Sequence, residues 1–335
     1  MMRSTTRRLP ISAILLLAVA SCDVATPDAL RGLRSEDPFV RRLAVVSLRD
    51  APKQDHRRVT EALFSVAVHD NSPLRPEVDA TLRVIATRSP ELLVERLVAR
   101  RDLRPARVIT LLESAGASAI VPLTAALDQV EGDDRVPLAK LLAHLGAVER
   151  LDSFAASGPD AAATVIAALE PLGESARQRL VTLSGEVLAT GDAPAVRLAS
   201  RHSPTAAWTM LTLDPDARAA SAIVRGLLEC MAERGEYSPI AAMILANVDA
   251  ERLEHVLAAL LDAAESSIHS TAAEVLGARH EWRAMLEHGV APRWIALSAA
   301  ADVDQVRTLL SEIVASGDAE LAERARATAQ LLVGQ

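Results

Sequence analysis

The 335-residue chain is short of aromatic residues, cysteine and positive charge. Three Trp, one Tyr and three Phe are all its aromatics, so its interior has to be built from Ala and Leu. Cysteine occurs twice, at Cys22 and Cys230, which excludes a disulfide framework. Lys and Arg total 36 against 44 Asp and Glu, a net charge of −8 without any basic block. That balance excludes the clustered cations on which nucleic-acid binding rests, so no nucleic acid is expected as a partner. Motifs that carry chemistry are missing too. There is no Gly-rich phosphate loop, no Gly-x-Ser-x-Gly, no Cys-x-x-Cys and no His-Glu-x-x-His. His280-Glu281 starts like the last of these, but the next histidine is His288, too far along for a shared helix face. Asp133-Asp134 and Asp302-Val303-Asp304 lack the glycine and distal glutamate of a calcium loop. Neither a metal nor a cofactor is expected.

What is present begins at the N-terminus. Arg3, Arg7 and Arg8 precede an apolar run from Ile11 to Ala20, which ends at Ser21-Cys22. A basic start, a short apolar core and a small-residue processing site describe an export signal. The core is too short to span a bilayer, which takes about 20 residues in a helix. Elsewhere the sequence shows no second apolar stretch of that length. Arg7-Arg8 match a twin-arginine signal poorly in their flanks.

Val19-Ala20-Ser21-Cys22 resembles the lipobox of bacterial lipoproteins, an ordinary secretory signal being the alternative. The resemblance implies cleavage before Cys22 and lipidation of that cysteine. Residues 1–21 are then a signal peptide, 22–26 a short tether, and 27–335 the body, anchored in the bacterial cell envelope and facing the periplasm or exterior. Asp23 resembles an inner-membrane retention signal, and inner versus outer membrane stays open. Losing Arg3, Arg7 and Arg8 takes the net charge to −11. Cys230, in register with Ile223, Leu227 and Met231, is expected to be a buried and inert thiol.

The body reads as all-α. Thr26-Pro27, Asp37-Pro38, Ser72-Pro73, Ser89-Pro90, Ser203-Pro204, Asp214-Pro215 and Ser238-Pro239 each pair a capping side chain with a proline suited to a first helical turn. Val40, Leu43, Ala44, Ser47 and Leu48 share one face at helical spacing. The pattern also recurs. Val108, Leu111, Leu112 and Gly116 return thirty residues later as Leu138, Leu141, Leu142 and Gly146, and Leu93 and Leu97 return as Leu123 and Leu127. The two glycines are placed to end helices in the left-handed conformation. Val40, Arg41, Ala44, Ser47 and Leu48 return as Leu74, Arg75, Val78, Thr81 and Leu82. A period near thirty built from two short helices predicts an α-solenoid.

The segment Asp37-Pro38 to Leu48 resembles the HEAT and HEAT-like repeat family. The resemblance implies that Asp37 caps its helix and that Arg41, and Arg75 in the next copy, brace neighbouring repeats. After about residue 150 it decays to generic pairs such as Ala250–Glu265 and Ser270–Ala278, so a less regular array or a non-repetitive bundle stays open there. No linker divides 27–335, and its longest breaks, Ala51–Lys53 and Gly132–Asp134, are loop-sized.

Trp282, Arg283, Arg293 and Trp294, together with His280 and His288, form the most site-like stretch. Large aromatics beside arginine are common at binding hot spots. Packing of the tryptophans between Ala-rich helices is the favoured reading. A noncatalytic scaffold binding an unknown protein or peptide near the membrane is the expected function. An enzyme with a site dispersed over a HEAT-like fold, and a structural spacer, are the alternatives.

Overall fold

A computed structural model describes residues 26–66, 73–99, 105–248, 266–287, 289, 291–299 and 302–332. Cys22, Ser72, His288 and the stretch 250–265 lie outside the described residues. No strand occurs among them, and the chain is all-α. It forms two compact units that meet in sequence between Gln129 and Val130.

The first unit holds α1 (Thr26–Gly32), α2 (Pro38–Ser47), α3 (His56–Val66), α4 (Arg75–Arg88), α5 (Pro90–Val98), α6 (Pro105–Ala115) and α7 (Ile120–Leu127). α1 packs on α2, α3 on α4, α4 on α5 and α5 on α6, and alternate helices pack too: α2 on α4, α4 on α6, and α5 on α7. The second unit holds α8 (Arg135–His144), α9 (Val148–Ala155), α10 (Pro159–Leu169), α11 (Arg177–Ala189), α12 (Ala193–His202), α13 (Pro204–Thr212) and α14 (Ala217–Ala232). It continues with α15 (Ser238–Ala246), α16 (Ser266–Ala278), α17 (Trp282–Glu287), α18 (Pro292–Ser298), α19 (Val303–Ala315) and α20 (Ala319–Leu332). One row of alternate helices runs α8, α10, α12, α14, α16, α18, α20, and a second runs α11, α13, α15.

The expected capping chemistry starts several of these helices. Asp37 accepts from the Phe39 amide at 2.8 Å, and Ser203 accepts from Ala206 at 3.1 Å. Two starts are displaced. Asp214 takes a positive φ of 55°, and the cap two residues on is Asp216, which accepts from Ala219 at 2.7 Å. Ser238 lies inside α15, its hydroxyl donating to the Met231 carbonyl at 3.2 Å. Gly116 and Gly146 take φ of 60° and 75° and end their helices as expected. Pro105–Leu127 is long and apolar enough to cross a membrane by length and composition, with a mean hydropathy of 1.5, which the sequence reading passed over. Gly116 breaks that run into α6 and α7, and their Leu111, Leu112, Leu123 and Leu127 are buried within the first unit.

The recurrent leucines form the interior. Leu93, Leu112, Leu123, Leu138 and Leu142 are fully buried, and each such side chain contributes about 1.5–3 kcal/mol. On α2 the buried face is turned from the expected one: Val40 is exposed, while Ala44, Val45 and Leu48 are buried. Glycine permits a close approach of two helices in the second unit. A Cβ on Gly226 of α14 would lie 2.6 Å from the Arg197 carbonyl oxygen of α12.

Three arginines tie a helix to an earlier part of the chain. Arg88 donates to the Arg49 carbonyl at 3.2 Å, and Arg279 to those of Ala246 and Val248 at 3.0 and 2.7 Å. Arg324 donates to the Leu286 carbonyl at 3.1 Å. Each satisfies carbonyls near a helix end that have no partner within the helix.

Candidate functional site

The expected stretch near the C-terminus divides between interior and surface. Trp282 is 1% exposed, so it packs α17 into the second unit and offers no contact to a partner, which corrects its candidacy as a binding residue. His280 stacks edge-on against it with centroids 4.9 Å apart, and lies 4.0 Å from the Asp302 carboxylate. Arg283 is exposed and pairs with Glu287 one turn along at 3.0 Å. Arg293 covers the half-buried Trp294 ring at 4.6 Å. These side chains make local pairs and do not converge. The exposed tryptophan is Trp208 on α13, which sequence reasoning did not single out.

Of the two expected bracing arginines, Arg41 acts locally. Arg41 donates to the carbonyls of Ser35 and Glu36 at 2.7 and 2.9 Å, fastening the turn before its own helix. Its neighbour Arg42 is the residue that reaches α4, at 2.6 Å from Glu77. Arg75 lies 3.6 Å from Asp79 on its own helix, and Asp79 also receives a two-pronged contact from Arg107 of α6, at 2.9 and 2.6 Å.

The first unit carries an open cleft of about 520 Å³ walled by α3, α5 and α7. Leu92, Val98, Pro122 and Ala126 give it an apolar lining. Its rim is charged, with Arg57 bonded to Glu95 at 2.6 Å. Such a cleft offers apolar contact flanked by fixed charges.

The second unit gathers titratable groups near the C-terminal ends of α8, α10, α12 and α14. Burial lowers the proton affinity of Lys140, although Glu233 and Glu170 oppose the shift. Burial also lowers that of His202, assisted by the charges of Arg201 and Lys140. The His202 Nε2 is enclosed without a hydrogen-bond partner. Cys230 is pushed up to about 11 by burial and by Glu233 and Glu170, so its thiol stays protonated near neutral pH. That agrees with the expected inert thiol. Tyr237 is raised by burial and by Glu236, and Lys140 lies 5.9 Å from its ring centre. Burial opposes the charge on Arg201, but the hydrogen bond and charge of Glu233, with Asp133 behind them, leave it above its ordinary value.

Glu170 anchors the edge of this group. The Ser203 hydroxyl donates to its Oε2, and the Thr205 hydroxyl donates to Oε1 at 2.8 Å. The first unit contains a counterpart. His56 Nε2 donates to the Ala51 carbonyl at 3.0 Å, which leaves Nδ1 to accept from the Ser89 hydroxyl at 2.7 Å. In both places a buried polar residue meets a Ser-Pro serine 33 positions ahead. The spacing is visible in the sequence as a polar residue, His56 or Glu170, 33 positions before each of these two Ser-Pro pairs. Among the described residues no group of three or more His, Cys, Asp or Glu could hold a metal ion.

Comparison with protein-family models and with curated proteins finds no match. Among solved structures, the chain is similar to the crystal structure of an engineered protein at 19% identity, aligned over 93% of this chain and 99% of that one. The TM-score is 0.29, too low for the likeness to inform fold or function.

Proposed function

We propose that the protein is a lipid-anchored, noncatalytic scaffold of the bacterial cell envelope whose HEAT-like helix pairs form a solenoid and bind a protein or peptide near the membrane. The observation that carries this reading is the cleft between the alternate helices α3, α5 and α7, with its apolar lining and its charged Arg57 and Glu95. The packing of alternate helices within each unit supports the stacked arrangement, since repeat proteins bury their faces against nearest neighbours. Val19-Ala20-Ser21-Cys22 supports the anchor.

Crosslinking in native envelopes tests the binding role. Wild-type protein should capture a defined partner, and Ala126→Arg, which puts a long cation into the cleft, should lose it while keeping its helical spectrum. Identical capture by both chains would reject the cleft as the binding surface. For the anchor, Cys22→Ala should abolish membrane attachment. Wholly soluble wild-type protein without acyl mass on its N-terminal peptide would refute it.

The displaced groups around Lys140 and His202 favour a second reading, an enzyme with a dispersed site. Turnover of any substrate that Lys140→Met abolishes, without loss of helicity, would decide for it.

A further inference from the structure

The described chain opens on a second cleft, of about 630 Å³, between α1 and α3. Its lining combines Leu30, Leu33 and Val66 with three arginines, Arg31, Arg34 and Arg58. Arg31 pairs with Asp28, whereas Arg34 and Arg58 are exposed and have no acidic partner among the described residues. Glu61 is the only acid in the lining. The sequence conceals this concentration, because Arg58 joins Arg31 and Arg34 only when α3 lies beside α1.

Charge along the chain singles out the same end. Residues 23–66 carry eight basic and seven acidic side chains, a net of +1, while the rest of the mature chain carries −12. Helix α1 starts at Thr26, four residues after Cys22. Four extended residues reach at most about 14 Å. A cationic cleft held that close to an anchor would sit in the headgroup layer.

We propose that the cleft between α1 and α3 binds the phosphate of an anionic phospholipid headgroup, with Arg34 and Arg58 as its charged contacts and Leu30 and Val66 against the upper acyl region. The occupant is the membrane surface rather than a soluble phosphate, because the lining is part apolar and the tether is short. The site orients the anchored body, since an acyl chain and a basic patch together fix a protein more firmly than either alone. The inference rests on the anchored reading above for its setting, but its chemistry can be tested without an acyl chain.

The test uses the full mature chain from residue 22 carrying Cys22→Ser, so that no acyl group can form. It is sedimented with vesicles of pure phosphatidylcholine and with vesicles containing phosphatidylglycerol. Binding is expected only to the anionic vesicles, weakening as added salt screens the charges. Arg34→Glu/Arg58→Glu should weaken it roughly thirtyfold or more, as each arginine near an anionic surface is worth about a factor of five. Arg218→Glu/Arg326→Glu, an equal charge change at exposed positions of the second unit, should leave binding nearly unchanged. Equal binding to both vesicle types, or equal loss in the two double variants, would overturn the proposal. So would displacement by millimolar inorganic phosphate at constant ionic strength, which would identify a soluble phosphate as the ligand. Acyl mass on the wild-type N-terminal peptide is read separately, so a failed anchor and a failed headgroup site give different results.

Discussion

The two units set a buried polar residue against a Ser-Pro helix start with different chemistry. In the first, Ser89 bonds the His56 ring and makes no cap to its own helix. In the second, Ser203 both donates to Glu170 and accepts from the Ala206 amide, so one hydroxyl serves a cap and a link between distant parts of the chain. A carboxylate accepts from several donors at once, and Glu170 also takes Thr205. The imidazole is saturated by two partners, Ser89 and Ala51. The same spacing can therefore keep its geometry while changing the residue. In the second unit the Glu170 charge belongs to the field acting on Lys140 and Cys230.

The comparison breaks most severely if the two interiors are not equivalent. Leu112→Asp in the first unit and Leu142→Asp in the second should each cost more than about 4 kcal/mol, because both bury an ion with no partner. Denaturant unfolding that left either variant unchanged would show that the thirty-residue register is wrong for that unit.

Next in size are the serine links. Glu170→Ala and His56→Ala should each cost about 2–3 kcal/mol, from lost hydrogen bonds and a vacated volume. Glu170→Gln, which keeps an acceptor for Ser203, should cost only about 1 kcal/mol. Loss of stability by Glu170→Gln as large as by Glu170→Ala would mean that the negative charge, rather than the hydrogen bonds, holds this position.

A pH series sharpens the electrostatic half of the comparison. His202 holds its proton less tightly when folded, so the unfolded chain binds more protons as pH falls below about 6.5 and stability drops on that side. Cys230 behaves oppositely: its contribution is complete below pH 9.0 and is lost as pH rises towards about 11. His202→Leu should flatten the acidic slope of unfolding free energy, and Cys230→Ala the alkaline one. Thiol alkylation of native protein should likewise rise only near pH 11.

The smallest effect concerns helix ends. Gly116→Ala and Gly146→Ala force a side chain into positive φ and should each cost about 1 kcal/mol. Equal melting shifts would mark the two stops as the same device in both units.

Local features were legible because their physics is local. The Asp37 cap, the glycine stops and the buried Cys230 each follow from a few residues of sequence. Asp214-Pro215 misled because a second aspartate, Asp216, competes two residues on and has the better geometry. Arg41 misled for a rotational reason. Successive helical residues point about 100° apart, so Arg42 faces α4 and Arg41 faces its own turn. The same rotation exposes Val40 and buries Val45.

The sequence by itself determined an all-α chain, the sites where many helices start and stop, and the thirty-residue recurrence of its buried leucines. Tertiary structure alone decided that Trp282 is interior while Trp208 is exposed, that His56 and Glu170 choose serines 33 residues ahead, and that Arg58 joins Arg31 and Arg34. Capping and periodicity are settled within a turn or two of chain, where the competing partners are few. Which side chain meets which across a repeat depends on the rotation and offset of whole helices, and those are set by packing many apolar contacts at once.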